Sequence, residues 1–187
     1  MKAARRLFAK KGMEECTIRD IAKKAGVSPA SVVVHFKSKT ALLEEALNDD
    51  IENALRELTS SIPKDAELLD RLMCLARGFF GLYDGNRVLY RALVRSTVFE
   101  PEGETPNLTR QTEQYVQFLA KMIEGEKARG RIAQATDSKV AAISIFSLYM
   151  GAVIMLFRMP EMPVEEVGET LASMTGQYLR GIMSRNR

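Results

Sequence analysis

One histidine, two cysteines and no tryptophan occur in the 187 residues of this chain. Cys16 and Cys74 are too few for a disulfide framework. Together with His35 they are also too few for a structural zinc site, which wants about four Cys or His ligands at short spacings. No phosphate-binding loop is present, and no nucleophile or acid–base constellation stands at a recognisable spacing. We therefore expect no catalytic residues, no metal and no cofactor. No internal repeat occurs, and no β-type alternation beyond the run Val32-Val33-Val34. Residues 1–11 are amphipathic and basic and lack the apolar core of a secretory signal. Reduced cysteines in a cytoplasmic protein fit this pattern best.

One long hydrophobic run does occur. Ala141 to Phe157 carries no charge and is bounded by Lys139 and Arg158. It lies at the short edge of the transmembrane range of about 17–25 residues. It is solitary and holds Ser144, Ser147, Tyr149 and Gly151. We read it as a buried core or interface helix, with no membrane partner.

Charge is unevenly spread. Residues 1–39 hold ten Lys or Arg and three acids, whereas the rest holds 17 basic and 21 acidic residues. A basic head on a mildly acidic body suits an anionic partner; a solvated lysine-rich surface is the plainer alternative.

Turn chemistry then divides the chain into helices. Ala4, Leu7 and Phe8 share a face of a stretch that Gly12 ends. Thr17 is placed to cap a second helix, with Asp20 three residues on and Ile18, Ile21 and Ala22 at helical spacing. Ala25-Gly26 stops it. Ser28 caps a third, with Pro29 at the first helical position, where its missing N–H costs nothing. That context makes SVVVHF a short helix despite its β-branched residues. A long helix follows from Lys39 to Ser60, striped by Leu42, Leu43, Leu47, Ile51, Leu55 and Leu58. Further helical patterns cover Ala66–Tyr83, Arg87–Phe99, Asn107–Ala128, Asp137–Arg158 and Val164–Ser184. The polar segment Glu100–Pro106 is expected to be the mobile loop. The fold class is all-α. An N-terminal three-helix helix-turn-helix domain occupies residues 1–42, and a C-terminal helical ligand-binding and dimerisation domain occupies 43–187.

Two short helices joined by a glycine turn, the second opening on Ser-Pro, suit the major groove of DNA. The segment LFAKKGMEECTIRDIAKKAGVSPASVVVHFKSKTALL resembles the N-terminal domain of TetR-family transcriptional regulators. The elements that carry the resemblance are Leu7-Phe8, Gly12, Thr17, Ile21-Ala22, Ala25-Gly26-Val27-Ser28, Ser31 to His35, Phe36, Ser38-Lys39 and Leu42-Leu43. The match spans about forty residues in order and is therefore specific. Beyond it, the chain is similar to the family only in length, helical pattern and final helix pair.

The resemblance implies roles for individual residues. Thr17 and Ser28 cap the two short helices, Thr17 also meeting a DNA phosphate. Pro29, Ala30, Val33 and Val34 face the groove. Ser31, His35, Lys37 and Lys39 sit near the DNA backbone. Ile18, Ile21, Ala22, Val27, Val32 and Phe36 form the core. The family usually places tyrosine where Val33 stands, so a hydroxyl-to-phosphate contact is missing here. Readout then rests on thymine methyls and DNA shape. Family members also carry several more residues of helix one, and a shortened start would weaken DNA binding.

Two sets of residues in the body remain. Ser144, Ser147 and Gly151 form a small-residue stripe, and Val164, Val167, Leu171, Met174, Tyr178 and Ile182 recur at three- and four-residue steps. They are dimer-interface candidates, with an intramolecular core as the alternative. Phe79, Tyr83, Tyr90, Tyr115, Phe118, Met122, Phe146 and Met150 are candidates for an apolar effector pocket, with ordinary core as the alternative. Arg87, Arg91 and Arg95 read as a solvated face or as partners of an anionic ligand. The expected function is a ligand-responsive transcriptional regulator. It would act as a homodimeric repressor of a palindromic double-stranded DNA operator, released by a small, mostly apolar effector. The alternative is a helical protein-interaction module that has lost specific DNA binding.

Overall fold

The computed structural model describes residues 1–63, 65–99, 103 and 105–183. Within the expected mobile loop, residues 100–102 and 104 lie outside the described residues, as does Ser184 at the end of the expected last helix.

Among the described residues there are nine α-helices and no strand longer than one isolated bridge. They are α1 (Lys2–Glu15), α2 (Ile18–Ala25), α3 (Pro29–His35), α4 (Lys39–Ser61), α5 (Leu68–Asp84), α6 (Arg87–Phe99), α7 (Pro106–Ala128), α8 (Ser138–Arg158) and α9 (Val164–Ile182). The valine run is helical, as its cap context requires.

The described residues fall into two compact units. The first holds Met1–Ala54 and Tyr83–Gln111; the second holds Leu55–Leu82 and the chain from Thr112 onward. Compactness thus groups α6 and the first turn of α7 with the basic head, and α4 contributes residues to both units.

In the first unit α1 packs on α6, and α2 on α1 and α3. Phe8, Ala22, Leu43 and Leu47 are fully buried, which is why the apolar spacing of α1, α2 and α4 forms helices here. Gly12 sits at φ 77°, ψ 169° within α1, a conformation that other residues rarely adopt, and it kinks the helix. α1 is tied to α4 by Arg5, whose guanidinium meets both Asp50 oxygens at 2.9 and 2.6 Å, and to α6 by Glu14–Arg95 at 2.8 Å. Tyr90 Oη donates to the same Asp50 at 3.2 Å. Burial first, and the adjacent Asp50 carboxylate second, push the Tyr90 hydroxyl above the ordinary phenol range.

A polar seam joins α4 to the start of α7. The Leu108 N–H donates to Glu44 Oε1 at 2.7 Å, Gln111 donates to Asn48 Oδ1 at 2.9 Å, and Arg110 meets Glu52 at 2.7 Å. Glu44 is only 3% exposed and accepts from two of the orphan amides of the α7 terminus, Asn107 and Leu108.

In the second unit α8 packs on α9. Leu75, Phe80, Leu119, Ile123, Val153, Leu156 and Val167 form its dry interior. α8 is long and apolar enough to span a membrane by length and composition. One of its faces is nevertheless buried, at Ala141, Ala142, Ile145, Tyr149, Ala152, Val153 and Leu156. A buried ion cluster closes the far end of α7: Glu126, 2% exposed, accepts from Arg71 at 2.8 Å, Arg129 at 2.8 Å and Arg131 Nε at 2.5 Å.

Burial raises the Glu44 carboxyl above its ordinary range, against the opposing pull of the Leu108 and Asn107 amides. Between the unfolded and the folded pKa, the folded state then holds more protons. The Glu44 contribution is therefore fullest below the ordinary glutamate range and falls as pH rises through the folded pKa. We expect Glu44→Gln to flatten that limb of the stability–pH curve and to stay within about 1 kcal/mol of wild type at neutral pH, since one amide bond survives. Urea denaturation between pH 4 and 8, on the order of single-unit steps, checks it.

Candidate nucleic-acid interface

The head presents two short helices held by side-chain caps. Thr17 Oγ1 accepts from the Asp20 N–H at 3.1 Å, and Asp20 Oδ2 accepts from the Thr17 N–H at 3.1 Å, a complete capping box. These bonds also hold the Asp20 carboxyl below its usual range. The box leaves the Thr17 hydroxyl hydrogen for an outside acceptor but uses its backbone amide. Gly26, at φ 71°, is the left-handed cap that ends α2 and turns the chain. Ser28 Oγ accepts from the Ser31 N–H at 3.1 Å and opens α3, with Pro29 at its first position.

Most of the sequence-predicted residues are exposed in this unit. Thr17, Ser28, Pro29, Ala30, Ser31, His35 and Lys37 are exposed. Val34 is 80% exposed and Val33 56%, while Val32, one residue earlier, is 6% exposed and points into the core. The three valines divide as a helix requires, one inward and two outward. His35 ends α3 with its ring edge against Phe36, centroids 6.3 Å apart. Ser38, predicted only as part of a motif, caps α4 by accepting from the Ala41 N–H at 3.0 Å.

One head expectation requires correction. Val27, expected in the core, is 46% exposed, because it follows the Gly26 turn rather than lying on a helix face. Lys39, expected near DNA backbone, is half-buried and donates from Nζ to the Met13 carbonyl, 26 residues back, at 2.9 Å. It satisfies a carbonyl just past the Gly12 kink.

The other candidates scatter. Phe79, Tyr115 and Phe146 converge in the second unit with Phe80 and Tyr149, ring centroids lying 5.8–6.4 Å apart. Phe118, Met122 and Met150 are half-buried in that unit. Tyr83 and Tyr90 belong to the first unit, their rings 5.4 Å apart, so the eight candidates do not form one cluster. Of the dimer candidates, Val167 and Leu171 are 0% and 1% exposed, and so serve this chain's own core. Ser147 and Gly151 are exposed; Ser144, Val164, Met174, Tyr178 and Ile182 are half-buried. Val140, Ile143 and Ile154, which sequence reading left out, are 58%, 46% and 42% exposed and extend the Ser147–Gly151 stripe along α8. Arg87 pairs with Asp84 at 2.6 Å and Arg95 with Glu14, so neither is an uncommitted cation.

Among the described residues, a capped helix-turn-helix with exposed basic residues precedes a helical body, an arrangement that suits DNA binding. Comparison with known proteins points the same way. Residues 1–46 match the model for bacterial regulatory proteins of the tetR family. The HTH-type transcriptional repressor KstR2 of Mycolicibacterium smegmatis is 40% identical over 52 residues, covering 28% of this chain and 25% of that protein. The HTH-type transcriptional regulator UidR of Escherichia coli K12 is 22% identical over 156 residues, covering 82% and 77%. A solved TetR-family transcriptional regulator from Rhodococcus sp. is 27% identical, with a TM-score of 0.68 over 98% of this chain and 95% of its own. The aligned segment spans about a quarter of the length of the first curated relatives it matches. Together these findings show a tetR-type DNA-binding segment at residues 1–46 and a fold similar to that of TetR-family transcriptional regulators.

The Lys39 tie yields a stability prediction. Lys39→Ala should lower the unfolding free energy by about 1 kcal/mol, the ordinary worth of such a bond. Lys39→Met, which keeps the aliphatic stem, should lose less. Denaturant melts of both variants decide whether the ammonium–carbonyl bond matters.

Proposed function

We propose that this regulator is a cytoplasmic, homodimeric repressor. It binds a palindromic double-stranded DNA operator through residues 1–42 and is released when a small, mostly apolar effector enters the helical part at 43–187. The observation that carries the DNA half is the surface of α3: two adjacent valines, 80% and 56% exposed, on a helix held by its caps and by buried Val32. Pro29, Ala30, Val33 and Val34 carry no side-chain hydrogen-bond donor. They suit thymine methyls and groove shape, while Thr17, Ser28, Ser31, His35 and Lys37 serve phosphates. The exposed stripe of α8 supports the dimer. Val140, Ile143, Ser147, Gly151 and Ile154 recur on one face, and the small residues at its centre allow a second copy to approach closely. A two-fold pair would set two recognition helices about 34–36 Å apart. The ring cluster around Tyr115 and Tyr149 supports an apolar effector, and α4, which supplies residues to both units, is the route by which its binding would reach the head. Coupling of about 1–3 kcal/mol would suffice.

Selection from a random duplex pool, followed by fluorescence anisotropy at low and physiological salt, tests the reading. A palindromic winner held far more tightly than random DNA is expected. Binding that is only non-specific and salt-sensitive would instead favour an interaction module that has lost sequence recognition. With the winner in hand, Lys37→Ala should reduce the salt slope by about one unit on every sequence. Val34→Ala should weaken the selected duplex by about 1 kcal/mol and leave random DNA unchanged. Ile143→Arg should convert the dimer to a monomer in light scattering and remove operator binding with it; a persisting dimer would take α8 out of the interface.

A further inference from the structure

A cavity of about 180 Å³ lies in the second unit, among the start of α5, the ends of α7 and α9, and the α7–α8 connection. None of the clustered aromatic residues lines it. Leu68, Leu69, Ile132 and Leu179 form apolar walls; Glu67, Glu126, Arg131 and Arg180 bring charge to it. These charges are unevenly paired. Arg71, Arg129 and Arg131 all donate to the single buried carboxylate of Glu126. The second carboxylate nearby, Glu67, lies 3.8 Å from Arg131 and is well exposed. Arg180 forms no ion pair with any described residue. Behind the wall, Arg71 Nε is buried without a hydrogen-bond partner. Two guanidiniums, Arg131 and Arg180, thus line the cleft, and of the two only Arg131 is committed to a carboxylate among the described residues.

Gly176 keeps this cleft open. A Cβ there would stand 3.5 Å from Leu69 Cδ2 and 3.6 Å from Arg180 Nη1, in ordinary contact with both and in the space between them.

We propose that the cavity binds a short-chain organic carboxylate. Its two oxygens meet the guanidinium of Arg180, with Arg131 beside it, and its hydrocarbon tail lies on the leucines. Planar guanidinium recognises a planar carboxylate through paired bonds. Inorganic phosphate would leave the apolar wall uncovered. A long ligand does not fit, since the cavity falls below the roughly 300 Å³ at which drug-sized pockets begin. This site deepens the regulator reading by naming an effector class. It rests on that reading only for the consequence at DNA, because binding itself is measured on the protein alone.

Calorimetric titration of the whole chain with hexanoate tests it, with 1-hexanol and inorganic phosphate as controls. Hexanoate should bind saturably, and each control at least about tenfold more weakly, the worth of one charge-assisted pair. Arg180→Met, at an exposed position, should weaken hexanoate by a similar factor and leave hexanol unchanged. Gly176→Ala should keep the melting temperature at or above wild type while weakening hexanoate, because it fills the cleft without a clash. Methyl resonances of Leu69, Ile132 and Leu179 should shift on titration. Undetectable hexanoate binding, affinity that ignores Arg180→Met, or shifts confined to the aromatic cluster would each overturn the proposal. Operator release is read separately by anisotropy, so a missing operator and an empty cavity give different results.

Discussion

Everything the head can present depends on backbone groups at the ends of two very short helices. α2 has eight residues and α3 seven. Helices of that length do not persist alone, because nucleation costs more than so few bonds return. Three local devices hold them: the Thr17–Asp20 box, the left-handed Gly26 and the Ser28 cap ahead of Pro29. The buried side chains of Ile21, Ala22 and Val32 fix their inner faces. The caps also decide what remains for a partner. The box uses the Thr17 amide and the Ser28 cap uses the Ser31 amide, so the outward polar supply is mainly hydroxyl hydrogens, His35 and Lys37. Folding the head and defining its surface are the same act.

α4 meets its neighbours in two physically different ways. Its leucines at 42, 43 and 47 are buried to 2% or less and are fixed by packing. Its other side meets α7 through carboxylates and an amide at Glu44, Asn48 and Glu52, while Asp50, in line with Leu43 and Leu47, meets α1. Hydrogen bonds and half-exposed ion pairs exchange with water at small net cost, whereas a buried leucine has no such substitute. A helix held this way has a stiff side and a renegotiable side. Glu44 is the exception on the polar side: its carboxylate is buried, and breaking its bonds to the α7 terminus would strand both a charge and two amides.

What was legible in the sequence was whatever is decided within a few residues. Cap chemistry is local, so Thr17 with Asp20, Ser28 with Pro29, and the bounds Arg87–Phe99 could all be read directly. The valine run shows the same thing, since propensity pointed to a strand and the cap before it decided for a helix. What periodicity does not contain is the partner that a face meets. Val167 and Leu171 lay on an apolar stripe, but both serve the chain's own core. Tyr90 read as pocket material until Asp50, forty residues away, took its hydroxyl. The bond from Lys39 to a carbonyl 26 residues back has no signal in the sequence either. The Arg71–Glu126 pair, 55 residues apart, left no pattern at all. Composition did signal the uneven charge of the head, but not which cations are already spent inside the chain.

The two outward valines carry the last step. A solvent-exposed helix position is filled most cheaply by residues of high helix propensity, and valine is poorer than alanine, lysine or glutamate by up to about 0.7 kcal/mol. Val33 and Val34 sit side by side at such positions, largely uncovered, on a helix too short to absorb the loss through its own bonds. Local stability therefore gives no reason for them, and neither does the core, which Val32 already serves. A reason arises if their methyl groups meet another apolar surface of matching scale. On the regulator reading that surface is the thymine methyls lining a major groove, and the missing donors explain themselves. The positive charge of the head would supply attraction to any duplex, and these four methyl groups, with groove shape, would supply the preference for one.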